Sequence, residues 1–200
     1  MATQADTETG RSNQKKRTRT AIVEAARALI ETGAEVTMPA IARAALVSEA
    51  TAYRYFPDLP SLISEALAGA WPAPEEALRP VADCPDPVER VGYACEFLLR
   101  GVLARQGSVR AMISATISRP ETVAARPGIR FGLIDHALLP LRDTLGAADP
   151  EAFAQLERDL AVVVSAEALF TLTDLCGLGP DEAVASAVRT ARTLTQAALS

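Results

Sequence analysis

The strongest constraint on the fold lies between residues 37 and 57, where the sequence encodes two short helices in succession. The segment "TMPAIARAA" opens with Thr37, a good N-cap, and carries Pro39 in its first turn, where a missing N–H breaks no hydrogen bond. Ser48 is a second N-cap, and Pro57 cannot comfortably continue the helix that Ser48 opens. Two short helices joined by a tight turn predict a helix-turn-helix, whose second helix is sized for the major groove of DNA.

A further helix is predicted just before this pair. In "TRTAIVEAARALIETG", apolar side chains recur at helical spacing, and Gly33 stands where a C-terminal cap belongs. Along the whole chain Ala, Leu, Arg and Glu recur at this spacing, whereas alternating runs of Val, Ile and aromatic residues are scarce. The sequence therefore predicts an all-α protein of about nine helices.

The second short helix has two distinct faces, because successive side chains are rotated by roughly 100°. Ala52 and Phe56 share the face that packs on the preceding helices, while Ala50 and Arg54 point the opposite way. Small Ala50 allows a close approach to base edges, and Arg54 can donate to guanine or to phosphate. Three further residues can bring hydroxyl groups to phosphate oxygens: Thr51, Tyr53 and Tyr55. The alternative interpretation is a local core cluster of aromatic rings with their polar tips in water.

The charge is unevenly distributed along a chain whose net charge is −5. Residues 11–58 carry eight basic and five acidic side chains, and both lysines lie in the cluster "KKRTR". We expect DNA contacts from Lys16, Arg17 and Arg19 of this cluster. Residues 1–16 are predicted to be a disordered polar arm that enters a minor groove, lies along phosphates, or remains a solvated tail. The arm lacks the apolar stretch of a signal peptide or membrane anchor, so we expect a cytoplasmic protein.

The segment "TAIVEAARALIETGAEVTMPAIARAALVSEATAYRYFPDLPSLISEAL" resembles the DNA-binding domain of the tetracycline-repressor (TetR) family of bacterial transcription regulators. The resemblance covers residues 17–67. It rests on the Ala-rich first helix, the "T-x-x-x-I-A-x-x-A" second helix, the "V-S-x-A-T-x-Y-R-Y-F" recognition helix and a fourth helix opening near Ser61. It implies a homodimeric, all-α, ligand-responsive repressor.

The resemblance also implies roles for particular residues. Thr37 and Tyr55 fall at phosphate-contacting positions, Glu49, Ala50 and Tyr53 at base-contacting or groove-facing positions, and Thr51 at a position that serves either role. Ser48, at the start of the recognition helix, completes the predicted DNA-contacting set.

Three residues depart from the family pattern. Leu46 stands where the turn usually has glycine, which predicts a less tight turn or a negative φ. Glu49 stands where lysine is common, and its carboxylate could accept a hydrogen bond from cytosine N4. Leu59 replaces a lysine that usually contacts the DNA backbone.

Beyond residue 70, "WPAPEEALRPVADCPDPV" indicates a Pro-rich connection rather than a helix. Asp86 as N-cap and Pro87 at the first helical position then open a helix to about Gln106. Further helical pieces are predicted at 108–117, 129–145, 149–176, where Gly177 is the cap, and 180–199. The predicted domains are the arm, a three-helix DNA-binding domain over 17–60, and a larger helical regulatory and dimerisation domain over 61–200.

Within the predicted helix 149–176, residues 160–176 carry only Glu167 and Asp174 as charges, so this stretch must be covered on two sides. It is too short and too polar to span a membrane. A subunit interface suits it, and the resemblance implies dimers that pair the last two long helices. The predicted interface residues are Val163, Phe170, Val184, Val188, Ala191 and Leu194.

An effector pocket is predicted among the helices between residues 87 and 176. Its larger or more polarisable lining residues would be Tyr93, Phe97, Met112, Phe131, His136, Glu167 and Phe170, although plain core packing explains most of them. An acid such as Glu167 on an apolar helix needs a partner, which could be an arginine, a water network, the dimer mate or a cationic ligand.

The sequence shows no catalytic pattern, because His136 is the only histidine and there is neither a Ser-His-Asp order nor a Gly-rich phosphate loop. Cys84, Cys95 and Cys176 lack metal-ligand spacing, so we expect reduced thiols and no metal, cofactor or enzymatic activity. The expected partners are double-stranded operator DNA, a small-molecule effector and a second copy of the chain. A ligand-independent architectural DNA-binding protein is the alternative.

Overall fold

The computed structural model describes residues 4–32, 36–68, 71–118 and 128–200. All regular structure in these ranges is helical, which confirms the all-α prediction, and the helical segments are more numerous than the nine predicted. The helices are α1 (Gln4–Glu31), α2 (Met38–Ala44), α3 (Glu49–Tyr55), α4 (Leu59–Ala68), α5 (Pro74–Ala77), α6 (Pro87–Ala104), α7 (Gln106–Ser118), α8 (Ile129–Ala137), α9 (Leu139–Arg142), α10 (Leu145–Ala148), α11 (Pro150–Val163), α12 (Ala166–Phe170) and α13 (Pro180–Ala198). A 3-10 turn (Arg79–Val81) follows α5, and a π-helix (Thr171–Leu175) follows α12.

The described residues fall into two compact units. The first contains the residues up to 68 together with 105–118, and the second contains 71–104 together with 128–200. The first unit therefore includes α4 and α7, which the sequence assigned to the regulatory domain. The reason is packing, because α4 lies against both α1 and α7.

The core of the first unit is formed by side chains from α1, α2, α3 and α4. The fully buried large residues are Ile22, Ile30, Ile41, Leu62, Ile63 and Leu67. Apolar residues at helical spacing on α1 supply one wall, and α2 and α4 pack against it. This core fixes α2 and α3 as a pair.

The N-terminal arm differs from its prediction. The structure continues α1 back to Gln4, so the described part of residues 1–16 is helical rather than disordered. Gln14, Lys15 and Lys16 are good helix formers, and they extend a helix that the core already anchors. The predicted cap at Gly33 lies outside the described residues.

In the second unit, α13 packs along α6, α8 lies against α6, α11 lies against α13, and α8 and α11 lie against each other. The start of α6 is as predicted, since the Asp86 side chain accepts a hydrogen bond from the Val88 amide at 2.8 Å. The Pro-rich connection before it is not free of helix. It forms α5, which Pro74 opens at a first-turn position where proline is tolerated, and the 3-10 turn.

The predicted long helix over 149–176 is interrupted. Its first part, α11, ends at Val163, and the chain leaves helical geometry at Val164 and Ser165 before α12 begins. The Ser165 hydroxyl oxygen accepts a hydrogen bond from the Ala168 amide at 3.0 Å. Three consecutive β-branched valines followed by a capping serine favour such a restart. After the π-helix, Gly177 adopts a left-handed φ of 69°, as a helix cap requires.

Two glycines of the second unit provide space for close approach. The indole ring of Trp71 lies where a Cβ on Gly101 of α6 would be, and Pro74 contacts the corresponding position of Gly132 on α8. Trp71 also packs edge to face on Phe97, with ring centroids 6.0 Å apart. These contacts hold the segment around residues 71–74 against α6 and α8.

Arg90 is buried, with 3 % of its surface exposed, and donates four hydrogen bonds to backbone carbonyls. Its Nη1 donates to the oxygens of Val81 at 2.7 Å and Ala82 at 2.8 Å. Its Nε and Nη2 donate to Ala137 at 3.0 Å and His136 at 2.7 Å, which are the last two residues of α8. A cation at a helix C-terminus is also favoured by the helix dipole. This side chain therefore links the connection before α6 to the end of α8.

Candidate nucleic-acid interface

The turn between α2 and α3 is tight and contains one residue in the left-handed backbone conformation. The Val47 amide donates to the Ala42 carbonyl at 2.9 Å, and the Leu46 amide donates to the Arg43 carbonyl at 3.2 Å. This pair of hydrogen bonds is the Schellman motif, which places its penultimate residue in the left-handed region. Leu46 accordingly has a φ of 55°, so neither a looser turn nor a negative φ is observed. The turn has the geometry that glycine usually supplies, although a leucine occupies the position.

Caps hold the N-terminal ends of α2 and α3. The Thr37 hydroxyl oxygen accepts from the Ala40 amide at 3.3 Å, and the Ser48 hydroxyl oxygen accepts from the Thr51 amide at 3.2 Å. Ser48 also donates its hydroxyl hydrogen to Thr51 Oγ1 at 2.9 Å. Both predicted N-caps are confirmed, and each satisfies an amide that helix geometry leaves without a partner.

The buried face of α3 is the predicted one. Ala52 is fully buried and Phe56, which caps the helix, is 2 % exposed. The opposite face is open to solvent, because Glu49, Ala50 and Arg54 are exposed and Tyr53 is 49 % exposed. Thr51 and Tyr55 are half-buried at the edges of this face. The alternative of a local aromatic core cluster with polar tips in water does not describe Tyr53, about half of whose surface is exposed.

The Arg19 side chain fixes the C-terminal end of α3. It donates to the Tyr55 carbonyl at 3.3 Å, forms an ion pair with Glu65 of α4, and lies over the Phe56 ring with its guanidinium carbon 4.4 Å from the ring centroid. Arg19 is thus engaged within the chain, and its predicted contact with DNA stays a prediction. No local sequence pattern could predict this role of Arg19, since its three contacts lie more than thirty residues away along the chain.

The remaining basic side chains of the N-terminal cluster are accessible. Lys16 and Arg17 are exposed on α1, where they line a shallow groove with Asn13, Thr20 and Glu24. Arg54 on α3 is exposed, with its guanidinium carbon 5.6 Å from the centroid of the Tyr55 ring. This surface combines exposed cations for phosphate with small and hydroxyl-bearing side chains for base edges.

A short, capped helix that presents its outer face to solvent after a tight turn defines a helix-turn-helix DNA-binding protein. Residues 22–66 match the family model described as bacterial regulatory proteins, tetR family. This match supports a DNA-binding transcription regulator similar to the TetR family, with its DNA-binding segment at these residues. A search of curated proteins finds no match to the chain.

The predicted effector-pocket residues are distributed over both units. Met112 lies on α7 in the first unit, while the other six lie in the second unit. Phe131 is 60 % exposed, and Phe97 is occupied by its contact with Trp71. The remaining four are half-buried: Tyr93, His136, Glu167 and Phe170. The pocket stays a prediction, with a smaller set of residues to support it.

Glu167 has found one of its predicted partners, an arginine. Its Oε2 lies 3.6 Å from Nη2 of Arg130 on α8, and Arg130 also donates to the Ala161 carbonyl at 3.2 Å. The pair is partly exposed, with 23 % of the Arg130 side chain and 39 % of the Glu167 side chain accessible. It joins α8 to the segment where α11 gives way to α12.

The predicted interface residues on α13 divide into two groups. Val184 and Ala191 are buried within their own subunit by the packing of α13 on α6 and α11, so they are not available to a partner. Val188 and Leu194 are half-buried, as are Val163 and Phe170 on the preceding helices. The most exposed apolar side chains of this region are Val162, at 71 %, and Leu175, at 82 %. The predicted interface did not include these two residues because the prediction took 149–176 as one unbroken helix.

Charged side chains line an open groove between α6 and α13. Arg100 pairs with Asp181 at 2.7 Å and with Glu96 at 3.1 Å, and these hydrogen bonds raise the pKa of its guanidinium. Arg192 pairs with Glu89 at 2.7 Å. In the described ranges no group of His, Cys, Asp and Glu side chains is arranged to hold a metal ion. None of the described helices is long and apolar enough to cross a membrane.

Proposed function

We propose that the protein is a repressor that binds a palindromic operator as a homodimer and is released from it by a small molecule. The observation that carries the DNA-binding part is the outward face of α3. Glu49, Ala50 and Tyr53 project from a helix whose inner face and both ends are fixed by other contacts. A rigid helix with a free face can be inserted into a groove without rearrangement.

The chemistry of this face suits the major groove. Ala50 permits close approach, Arg54 donates to guanine or phosphate, and Glu49 can accept from cytosine N4. Glu49 also lies in the first turn of α3, where the helix dipole favours an acidic side chain. We expect the hydroxyl groups of the half-buried Thr51 and Tyr55 to contact phosphate at the rim of this face. The Thr37 hydroxyl oxygen caps α2, and we propose that its hydroxyl hydrogen is donated to a phosphate oxygen.

The dimer is supported by apolar surface in the second unit. Val162 and Leu175 are large exposed apolar side chains near the half-buried Val163 and Phe170 in the sequence. We propose that these four residues, with Val188 and Leu194, form a two-fold interface. Such an interface would place two recognition helices ~34 to 36 Å apart or a multiple of that distance, which makes a palindromic operator the natural target. Sedimentation at micromolar concentration tests this part directly.

The effector part draws its support from the Arg130–Glu167 pair. Both side chains are partly accessible, and they lie beside the break between α11 and α12, where a ligand bearing a complementary charge could exchange for either partner. The alternative is a DNA-binding protein that needs no effector. A screen of small molecules for release of the protein from its own upstream DNA distinguishes the two, because only the first gives concentration-dependent release by a specific compound.

The DNA-binding proposal is tested with two variants on the free face of α3. Arg54→Ala and Tyr53→Phe should each weaken operator binding by about 1 to 3 kcal/mol, because each removes a donor that can reach DNA. Fluorescence anisotropy at fixed salt measures the affinity, and thermal unfolding checks the fold. Arg158→Ala, an exposed arginine on α11 in the second unit, is the matched control and should leave affinity unchanged. Operator affinity equal to wild type in both α3 variants would show that this helix does not read DNA.

A further inference from the structure

We propose that Leu46 is itself a DNA-contacting residue, whose side chain packs on apolar surface of the operator beside the N-terminal end of α3. This inference rests on the proposed DNA-binding function. Two independent observations carry it: Leu46 has a left-handed φ of 55°, and 92 % of its surface is exposed.

The backbone conformation makes leucine an unfavourable choice for the fold. The two hydrogen bonds that close the turn, from Val47 to Ala42 and from Leu46 to Arg43, force position 46 into the left-handed region. Glycine adopts this conformation readily, whereas a side chain there clashes with its own backbone. Strain of this kind persists only where the surrounding structure imposes it, and it concentrates at functional sites.

The Leu46 side chain contributes almost no packing energy to its own unit. A leucine that is 92 % exposed buries almost no apolar surface against its own chain, so it gains no packing energy to offset the strain. The fold alone would therefore be better served by glycine. A leucine at this position gains its contacts only from something that docks on the turn.

The position of the turn identifies that partner as DNA. In a helix-turn-helix the N-terminal residues of the second helix meet the base edges, and Leu46 lies just before the Ser48 cap of that helix. The solvent-exposed surface of Glu49, Ala50 and Tyr53 follows directly in the chain. DNA offers apolar surface at the thymine 5-methyl group and along the deoxyribose. A contact with the methyl group would contribute to sequence preference, and a contact with the sugar to affinity alone.

The test uses Leu46→Gly in the full chain, with operator affinity and urea unfolding measured on the same preparation. We expect the variant to be more stable than wild type, because the strain is relieved, and to bind operator roughly 10-fold more weakly, because the apolar contact is lost. These opposite signs separate a DNA contact from a structural role. Ile117→Ala removes an exposed apolar side chain from α7 of the same unit and should leave affinity unchanged. Leu46→Gly binding as tightly as wild type, or more tightly, would overturn the inference.

Operators in which deoxyuridine replaces thymidine distinguish the two apolar surfaces. If Leu46 contacts a thymine methyl group, wild type binds the substituted operator more weakly than the natural one, whereas Leu46→Gly binds the two operators with nearly the same affinity. If it meets the sugar, the substitution leaves wild type unchanged and Leu46→Gly binds both operators equally weakly. Arg54→Ala separates this inference from the proposed function. If Arg54→Ala weakens binding and Leu46→Gly does not, only the inference on Leu46 fails, whereas a wild-type protein without specific binding overturns both.

Discussion

Replacing Arg90 by alanine tests how far one buried cation holds the second unit together. Its guanidinium reaches four carbonyl oxygens that belong to two separate segments, Val81 and Ala82 before α6, and His136 and Ala137 at the end of α8. Arg90→Ala removes all four hydrogen bonds at once and leaves a cavity. We expect this single substitution to lower the free energy of unfolding of the second unit.

The four carbonyls do not contribute equally to the expected loss. Water can reach the exposed Ala82 and the half-buried Val81, so their oxygens regain partners in the variant. The Ala137 oxygen is the least accessible of the four, since Ala137 is fully buried, and leaving it unsatisfied costs about 1 to 3 kcal/mol. Arg90→Ala also removes the desolvation cost of burying a charge, which offsets part of this loss. The net loss in the free energy of unfolding should be about 3 kcal/mol.

Urea unfolding followed by circular dichroism measures this loss, with protein concentration fixed because dimerisation would shift the midpoint. Arg90→Lys keeps the charge but offers three donors from one nitrogen, so it should recover only part of the stability. Arg79→Ala, at an exposed arginine on the neighbouring 3-10 turn, is the control and should change stability by less than about 0.5 kcal/mol. A loss below about 1 kcal/mol in Arg90→Ala would refute the idea that these hydrogen bonds stabilise the fold.

Two further predictions concern Trp71 and the cysteines. Gly101→Ala should displace the Trp71 indole, because the new methyl group would overlap it; we expect about 1 to 3 kcal/mol of destabilisation and a red-shifted emission from the protein's single tryptophan, and unchanged emission would contradict the close approach. Burial, and then the charge of Glu96, raise the pKa of the Cys95 thiol from 9.0 to about 12, so at pH 8 a thiol reagent should modify exposed Cys176 and spare Cys95. Mass spectrometry after labelling checks which thiols react, and rapid modification of all thiols in the folded protein would contradict this prediction. Because the folded state holds the Cys95 proton more tightly than the unfolded state, the raised pKa also means that the stability due to this thiol falls as pH rises from 9.0 towards 12.

Local signals in the sequence predicted the helix starts well. Thr37, Ser48 and Asp86 each cap a helix through a hydrogen bond to an amide two or three residues ahead, so the interaction is complete within one short segment. The inner and outer faces of α3 also followed from spacing, because Ala52 and Phe56 recur at helical period. These features depend on a few neighbouring residues and on no distant contact.

The features that were not predicted depend on distant contacts or on competing local preferences. Arg90 finds its acceptors near residues 81 and 136, and no spacing rule connects these segments. At the break before α12, two local preferences compete. The apolar pattern favours continuation of the helix, whereas the valines and the Ser165 cap favour a new helix start. The φ of Leu46 was wrongly predicted because residue type argued for a negative angle, whereas the hydrogen bonds of the turn required a positive one.

The construction of the recognition helix explains how so short an element can read DNA. A helix of seven residues is not stable alone, so its orientation must come from contacts at its ends and on its inner face. The Ser48 cap and the left-handed turn fix one end, Arg19 fixes the other through the Tyr55 carbonyl, and Ala52 fills the inner face. None of these contacts uses the outward side chains of α3. The outer face can therefore change in sequence, and with it the operator that is recognised, while the fold that holds it remains the same.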